Sequence, residues 1–288
     1  MRNDLLLTLF APLLWGTTYF VTTQWLPAGQ PWLVALIRAL PAGLVLLAVS
    51  RRLPPPGWGW RSLVLGVLNF GLFFPLLFSA AYRLPGGVAA TMGAIQPLLV
   101  LGLTWPVLGQ RPRPLQLGLG LVGIGGIALL VLGPHARLDP IGVAAALGAS
   151  ALMAAGTVLT RRWGSPGSQL ATTSWQLLAG SVILAPLWWA LEGPPPALTW
   201  GQIGGLAYLT LANTALTYVL WFRGIQRLPI AAVTFLPLLS PVVATLIGFV
   251  ALGQGFTLLQ ALGVALVLAA VAGAQWSGRP GLPGARGA

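Results

Sequence analysis

Ten apolar segments, separated by short breaks rich in Pro, Gly and Arg, run along the chain. A helix rises about 1.5 Å per residue, so about 20 apolar residues cross the hydrocarbon core of a bilayer. Only 6% of the 288 residues are charged, whereas a soluble domain carries roughly 25%. So few charges cannot cover a surface that faces water. The pattern predicts an all-α integral membrane protein of ten transmembrane helices.

The apolar runs and the breaks between them set the limits of each predicted span. The predicted spans are Leu5–Trp25, Trp32–Ser50, Ser62–Tyr82, Gly87–Leu108, Leu115–Leu132, Ile141–Thr160, Leu170–Ala190, Gly201–Phe222, Ile230–Leu252 and Phe256–Ala274.

The arginines are distributed unevenly between alternate breaks. With the N-terminus inside, twelve of the 15 cationic residues lie in cytoplasmic segments, whereas only Arg83 and Arg137 lie in outer loops and Arg38 lies within a span. Such an excess of cations in the cytoplasmic loops fixes orientation, so we expect both termini to be cytoplasmic. The net charge of +12 is explained by these membrane-surface loops, and nucleic acid is not an expected partner.

The second half of the sequence repeats the first. A shift of 144 residues places Asn69 on Asn213 and Pro97 on Pro241, and it gives 13 identities over residues 69–116, where roughly five are expected by chance. Each repeat holds five spans, an odd number, so the second inserts upside down. We expect an inverted pair of five-helix repeats at residues 1–134 and 138–276, followed by a disordered cytoplasmic tail at 277–288. Inverted repeats are typical of secondary transporters that work by alternating access.

Polar and aromatic residues within the spans are the candidates for a solute site, because polar groups in hydrocarbon are costly and usually face a cavity or another helix. Arg38 is the only charge deep in a span; it pairs with a solute carboxylate or, alternatively, it has a structural role. Asn69 and Asn213 contact a solute or bond between helices. The candidate cavity residues are Trp15, Tyr19, Arg38, Asn69, Phe73, Tyr82, Gln96, Trp175, Asn213, Tyr218 and Ser240.

Two prolines at equivalent repeat positions are the candidate hinges. Pro97 and Pro241 cannot donate a backbone hydrogen bond to the carbonyl four residues back. Those carbonyls belong to Gly93 and Pro237. Each repeat thus carries a kink, a free carbonyl and a polar side chain at one depth.

The residues that are missing exclude several functions. The chain has no Cys and no Lys, a single His, and only three acids, Asp4, Asp139 and Glu192, all outside the centres of the spans. An enzyme needs an acid–base pair, a metal site or an activated nucleophile, so we expect no enzyme, no metal site and no cofactor. The glycines of residues 118–123 fit a dinucleotide motif but lie in an apolar span without a preceding strand. The absence of an intramembrane acid favours facilitated diffusion or exchange over proton antiport.

The sequence resembles the drug/metabolite transporter superfamily, in its EamA-type permease branch. The resemblance covers nearly the whole chain and rests on Trp15-Gly16, on residues 35–38, on residues 80–85 leading to Pro97, and on the repeat of that pattern from Gly224 to Gln254. It implies an exporter of metabolites in the bacterial inner membrane, with a central cavity lined by the first four helices of each half. The family often has Glu where this chain has Gln110 and Gln254, so an acid-dependent role there is in doubt.

Within this branch, the deep aromatic residues look most like those of amino-acid exporters, including exporters of aromatic amino acids. The residues support the same solute class, because a zwitterion can place its carboxylate near Arg38 and an apolar side chain against aromatic rings. Other small amphipathic metabolites or drugs are the alternative solutes, and a receptor or structural protein that transports nothing is the alternative class. The expected partners are a small solute and the lipid bilayer, and the oligomeric state is left open.

Overall fold

The computed structural model describes residues 2–84, 92–131, 139–252 and 257–277, and within them the chain forms a bundle of ten helices that cross the membrane. Eight of these helices are long and apolar enough to span a bilayer, and α4 and α5 are shorter apolar helices. The helices are α1 (Arg2–Trp25), α2 (Pro31–Ser50), α3 (Gly59–Arg83), α4 (Gln96–Leu108), α5 (Pro114–Val131), α6 (Pro140–Trp163), α7 (Gln169–Glu192), α8 (Trp200–Arg227), α9 (Ile230–Ala251) and α10 (Leu258–Ser277). Their positions agree with the ten predicted spans. The predicted tail lies outside the described residues, except for Ser277, which ends α10.

Local signals at the helix ends explain why the helices begin where they do. Asp139 precedes α6 and accepts hydrogen bonds from the N–H groups of Ile141 and Gly142. Ser168 accepts from the N–H of Ala171 at the start of α7. Thr199 forms a reciprocal capping pair with Gln202 at the start of α8. Each cap satisfies backbone donors that have no partner within the helix.

Contacts between distant helix ends show the two repeats running in opposite directions. Asp4, near the start of α1, pairs with Arg223 and Arg227 at the end of α8. At the opposite end of the bundle, Asp139 before α6 pairs with Arg83 at the end of α3. We call the end with Asp4 the near end and the end with Asp139 the far end. The first repeat therefore starts at the near end and the second at the far end, as an inverted pair requires.

Helices α5 and α10 pack against each other through glycines. A Cβ atom added to Gly126 would lie 2.9 Å from the Gly263 carbonyl oxygen, and one added to Gly263 would lie 2.6 Å from the Gly126 carbonyl oxygen. Glycine permits this close approach because it has no Cβ. Within residues 118–123, a Cβ on Gly120 would overlap the Leu98 side chain and one on Gly123 would overlap that of Leu238, so helix packing accounts for both, whereas a Cβ on Gly118 meets nothing within 4 Å.

Matching irregularities interrupt the third helix of each repeat. A π-helical turn covers Val67–Gly71 in α3 and another covers Leu211–Leu216 in α8. Both start at positions related by the 144-residue shift, and they contain Asn69 and Asn213. A π turn leaves backbone groups without their usual partner and is frequent at functional sites.

Candidate functional site: a cavity between the repeats

A cavity lies between the two repeats, lined by residues of α1, α2, α3, α6, α8 and α9 and by residues 93–97 at the start of α4. Its volume is about 130 Å³. A water takes about 30 Å³ in the liquid, so the cavity has room for several waters or for a small solute. Among the described residues, α5, α7 and α10 contribute nothing to the lining.

Seven of the eleven candidate cavity residues line this single cavity, together with both candidate hinge prolines. They are Trp15, Tyr19, Arg38, Phe73, Gln96, Tyr218 and Ser240, with Pro97 and Pro241.

Four candidates lie outside the lining and make contacts between helices. Asn69 donates to Oε1 of Gln176 at 2.9 Å. The hydroxyl of Tyr82 donates to the Pro27 carbonyl at 2.8 Å, near the far end. Trp175 donates to the Arg52 carbonyl at 2.7 Å, near the near end. The fourth, Asn213, lies directly behind the cavity wall.

A break in α1 places Trp15 and Thr18 on the cavity. The first half of α1 ends at Trp15 and the second begins at Thr18. A Cβ on the intervening Gly16 would lie 2.5 Å from Cβ of Val243 and 2.7 Å from the Ser240 carbonyl oxygen. Only glycine allows α1 to approach α9 this closely, so the break lies where the two repeats meet.

Helix α4 begins, and α9 is broken, beside the cavity and shortly before their prolines. Pro97 is the second residue of the helix that starts at Gln96. In α9 a 3₁₀ turn at Leu236–Leu238 separates a first short helix from the helix that starts at Leu239. Pro241 is the third residue of this second helix. The proline positions thus coincide with helix breaks at equivalent places in the two repeats.

Arg38 is the central charge of the cavity, and it is only 1% exposed. Its Nη2 donates to Oδ1 of Asn213 at 2.6 Å and to the Asn213 carbonyl at 3.1 Å, and its Nε donates to the Thr214 hydroxyl. The ring of Phe74 lies 4.5 Å from the guanidinium carbon. Nη1 is buried and has no hydrogen-bond partner among the described residues. A buried charge needs partners, so this unsatisfied donor, which the cavity wall covers in this conformation, makes Arg38 the candidate group for an anionic part of a solute.

Asn213 connects Arg38 to the break in α1. Its Nδ2 donates to the Leu14 carbonyl at 2.6 Å, and its Oδ1 accepts from the Thr18 hydroxyl at 3.1 Å. Its backbone carbonyl accepts from Trp15 Nε1 at 3.2 Å. The π turn around Asn213 makes this carbonyl available to side chains from other helices.

A cluster of aromatic rings closes the cavity on the side of the near end. Tyr218 packs against Trp15 and Phe70 with ring centroids 5.1 and 4.7 Å apart, and Trp221 packs against Trp15 at 5.3 Å. Trp221, Phe70 and Tyr218 are at most 1% exposed. Trp15 and Tyr218 also line the cavity, so aromatic faces are presented to whatever occupies it.

The sequence-based candidates missed one wall of the cavity. Helix α6 contributes Ala146, Ala149, Ser150 and Met153, which are spaced as one helical face. These are small or apolar residues with no individual signal. The helical spacing of small residues within a span was the available clue.

The three acids of the chain are all used at the ends of the bundle, where each joins one repeat to the other. Asp4 and Asp139 form the ion pairs with Arg223 and Arg83, at 2.8 and 3.1 Å. Glu192 accepts from the N–H groups at the start of α2, at 2.8 Å each. The Arg83 guanidinium and the backbone N–H of Ile141 hold the pKa of Asp139 below its usual value.

The electrostatics of the cavity are therefore one-sided. No acidic side chain lines it in the described part of the chain, and no group of three or more His, Cys, Asp or Glu residues there could hold a metal ion. The site offers one cation, several hydroxyl and amide groups and an apolar surface. These are the kinds of groups with which a protein pocket holds and orients a small molecule.

Comparison with known proteins gives a consistent family match. The model of the EamA-like transporter family matches residues 3–132 and, a second time, residues 140–274. Protein PecM of Dickeya dadantii is 45% identical over 264 residues, which are 91% of this chain and 89% of PecM. The uncharacterized inner membrane transporter YedA of Escherichia coli is 27% identical over 281 residues, covering 94% of this chain and 92% of YedA.

Two further similarities extend over the whole length. The uncharacterized transporter YwfM of Bacillus subtilis is 29% identical over 269 residues, covering 91% of this chain and 90% of YwfM. A solved crystal structure superposes with a TM-score of 0.80 at 22% identity and covers 96% of this chain and 99% of that one. At this identity the superposition shows a shared fold.

Proposed function

Because the chain belongs to the EamA-like transporter family, we propose that it is a secondary transporter that exports small metabolites, foremost amino acids including aromatic ones. The observation that carries this proposal is Arg38, a buried cation on the cavity with one free guanidinium nitrogen and no acidic partner. A solute carboxylate would satisfy that nitrogen with a charge-assisted hydrogen bond, which is stronger than a neutral one. The chain is not an enzyme.

The apolar and aromatic lining supports the second part of the solute assignment. Trp15, Phe73, Tyr218 and Met153 line the same cavity as Arg38. Aromatic rings gain about 0.5–1.5 kcal/mol from stacking beyond the area that they bury. An amino acid with a ring side chain would use both Arg38 and these rings, and it fits the size of the cavity.

The inverted repeats support an alternating-access mechanism, because quasi-equivalent halves can exchange roles between two states. Breaks in α1, α4 and α9 meet at the cavity and supply the points at which helices bend. We propose Pro97 and Pro241 as the hinges of that motion. With no acid on the cavity among the described residues, the transporter works by facilitated diffusion or exchange, and a pH gradient alone does not drive it uphill.

We propose the bacterial inner membrane as its location, with both termini in the cytoplasm. The near end of the bundle carries Arg51, Arg52, Arg161 and Arg162, whereas Arg83 lies at the far end. Cations concentrate on the cytoplasmic side of membrane proteins. Labelling of a single cysteine introduced after the last helix, in intact and in permeabilised cells, tests this orientation, since the chain has no cysteine of its own.

The transport proposal is tested with purified protein in liposomes. Vesicles loaded with labelled phenylalanine are diluted into a panel of unlabelled solutes, and exchange is measured for the wild type, for Arg38→Gln and for Trp175→Phe as a control away from the cavity. We expect amino acids to stimulate exchange, and Arg38→Gln to lower it by roughly tenfold or more, as loss of a hydrogen bond to a charge does. Unchanged exchange in Arg38→Gln would remove Arg38 from the site.

The same panel separates the alternatives. Exchange that prefers amphipathic solutes without a carboxylate would assign the transporter to other metabolites or drugs. Absence of flux for every solute would favour a receptor or structural role. Uphill uptake driven by a pH gradient alone would contradict the proposed mode of coupling.

A further inference from the structure

The two proline breaks face the same cavity from opposite repeats. Pro97 and Pro241, related by the 144-residue shift, both line it, and so do Gly93 and Pro237, four residues before each of them. Proline has no backbone N–H, so neither proline can donate to the carbonyl four residues back. The cavity is therefore bordered on both sides by residues whose carbonyl groups lack their helical partner.

In α4 the break leaves more than one carbonyl without its helical bond. The N–H groups of Leu98 and Leu99 both donate to the Ile95 carbonyl, at 3.0 and 3.2 Å. The Leu98 N–H is thereby drawn away from the carbonyl of Ala94, which also lines the cavity. Because the N–H groups of Leu98 and Leu99 are both used in these bonds, they are not available to bind an anion at the start of α4.

In α9 the carbonyl of Pro237 accepts from the N–H of Leu239, two residues further on. A carbonyl oxygen has two lone pairs, so one stays available. The residue before each proline adds a side-chain acceptor. Ser240 donates its own proton to the Pro12 carbonyl at 2.8 Å, which leaves its lone pairs free. Gln96 makes no side-chain hydrogen bond with the described residues.

Neutral acceptors on two sides of a cavity suit one chemical group. A primary ammonium carries three N–H donors and no acceptor, and it needs acceptors but no full counter-charge when a carboxylate of the same molecule balances it. We propose that the two proline breaks form the subsite for the primary ammonium of the solute, in the same cavity in which Arg38 holds the carboxylate. The inference rests on the proposed function, since it divides the same cavity between the two ends of an amino acid.

This division explains why a transporter with a buried cation needs no acid. An uncompensated carboxylate in the cavity would pair with Arg38, and it would compete with the carboxylate of the solute. Carbonyl oxygens and hydroxyls bind an ammonium without that competition. Unwound backbone carbonyls take the same role towards cations in other transporters with broken helices.

Restoring the missing donors tests the subsite. Pro97→Ala and Pro241→Ala each supply an N–H that can occupy the carbonyl four residues back, and alanine favours the helix. Pro41→Ala and Pro186→Ala are matched controls, because both prolines lie inside helices, on exposed positions away from the cavity. Binding is measured with purified protein and three probes, namely phenylalanine, 3-phenylpropionate and phenethylamine, so that transport kinetics do not enter.

We expect phenethylamine, whose ammonium has no carboxylate of its own to balance it, to bind the wild type more weakly than phenylalanine does. In each cavity proline variant the Kd of both should rise roughly tenfold, as for loss of a hydrogen bond to a charged group. The Kd of 3-phenylpropionate, which has no ammonium, should stay unchanged, and the control variants should bind all three probes as the wild type does. Gln96→Leu and Ser240→Ala should reproduce the selective loss in part, without altering the backbone.

An equal change for all three probes would show that the prolines act only on helix geometry, and no change for any probe would place the ammonium elsewhere. Either result overturns the subsite. Failure of the proposed function has a different signature. If 3-phenylpropionate does not bind, or binds independently of Arg38, the carboxylate assignment fails, whereas a proline-dependent Kd for phenethylamine still supports the ammonium subsite.

Discussion

The side-chain oxygen of Asn213 lies 2.6 Å from Nη2 of Arg38, so a neutral amide, and not a carboxylate, binds the cavity cation. The equivalent asparagine of the first repeat, Asn69, bonds instead to Gln176. Each asparagine thus reaches a polar side chain on the second helix of the other repeat. Only one of the two pairs contains a charge, so the inverted repeats are equivalent in fold but not in chemistry.

A carboxylate in place of Asn213 should weaken the binding of amino acids at Arg38. In Asn213→Asp the new carboxylate would lie against Arg38 and satisfy it as an ion pair, so a solute carboxylate would have to compete with a partner that is already bound. We expect amino-acid exchange in liposomes to fall by roughly tenfold or more. The protein should remain folded, because the new charge is paired.

The equivalent substitution in the first repeat supplies the control. Asn69→Asp places a carboxylate in a site with no cation among the described residues. Burial of an unpaired charge is costly, so we expect thermal unfolding in detergent to occur at a lower temperature for Asn69→Asp than for Asn213→Asp. Equal losses of stability in the two variants would contradict the pairing that we describe.

Close packing between α3 and α6 makes a second prediction. A Cβ atom on Gly156 would overlap the Oδ1 atom of Asn69. Overpacking of this kind costs about 1–3 kcal/mol, so Gly156→Ala should lower the unfolding temperature. Gly118→Ala in α5 is the control, because a Cβ there meets nothing within 4 Å and alanine in a helix gains up to about 1 kcal/mol over glycine.

The spans and the repeat could be predicted from the sequence because both are local or additive signals. An apolar run of sufficient length must cross the membrane whatever it packs against. The pairing of Asn69 with Asn213, and of Pro97 with Pro241, followed from a shift of the sequence on itself. These positions all fall at helix irregularities, which is where a rare polar residue or proline alters the backbone.

The direction in which a side chain faces could not be predicted in the same way. Trp175 and Tyr82 lie in spans, but their polar atoms bond to carbonyls near opposite ends of the bundle. Hydropathy gives a residue's depth along a helix, whereas its facing depends on which helices are neighbours. For the same reason the α6 wall around Ser150 and Met153 carried no signal of its own.

A third prediction follows from the two tryptophans, because one faces the cavity and the other faces away from it. Trp15 lines the cavity and donates to the Thr217 hydroxyl at 3.0 Å, whereas Trp175 lies away from it. Trp15→Phe shrinks the aromatic surface and leaves Thr217 without this donor. We expect the KM for phenylalanine to rise several-fold, by an amount on the order of one stacking contact, while Trp175→Phe keeps the wild-type KM. The measurement is concentration-dependent exchange in liposomes.

The ion pairs at the two ends of the bundle make a fourth prediction, which concerns alternating access. Asp139 with Arg83 joins α3 to α6 at the far end, and Asp4 with Arg223 joins α1 to α8 at the near end. Both contacts connect one repeat to the other. If opening one end of the cavity requires its ion pair to separate, then Asp139→Asn favours opening at the far end and Asp4→Asn favours opening at the near end.

The labelling rate of a thiol in the cavity measures which end is open. Because the chain has no cysteine of its own, only the introduced thiol reacts. Ser150→Cys places one thiol on the cavity wall, and an impermeant maleimide is applied from the far end. We expect Asp139→Asn to raise the labelling rate and Asp4→Asn to lower it, each by roughly two- to fivefold, as suits partly exposed ion pairs. Changes in the same direction would mean that the ion pairs only stabilise the bundle.

The pH dependence of labelling follows from the ionisation of Asp139. Because Arg83 lowers the pKa of this carboxyl, the ion pair is fully present above the ordinary value of about 3.9 and is lost only as the pH falls through the lowered pKa. The labelling rate of Ser150→Cys from the far end, divided by that of Ser150→Cys with Asp139→Asn at the same pH, should therefore be constant between about pH 5 and 7, because the ratio removes the pH dependence of thiolate formation that both variants share. A ratio that changes in that range would show that the pair separates at a higher pH than its geometry implies.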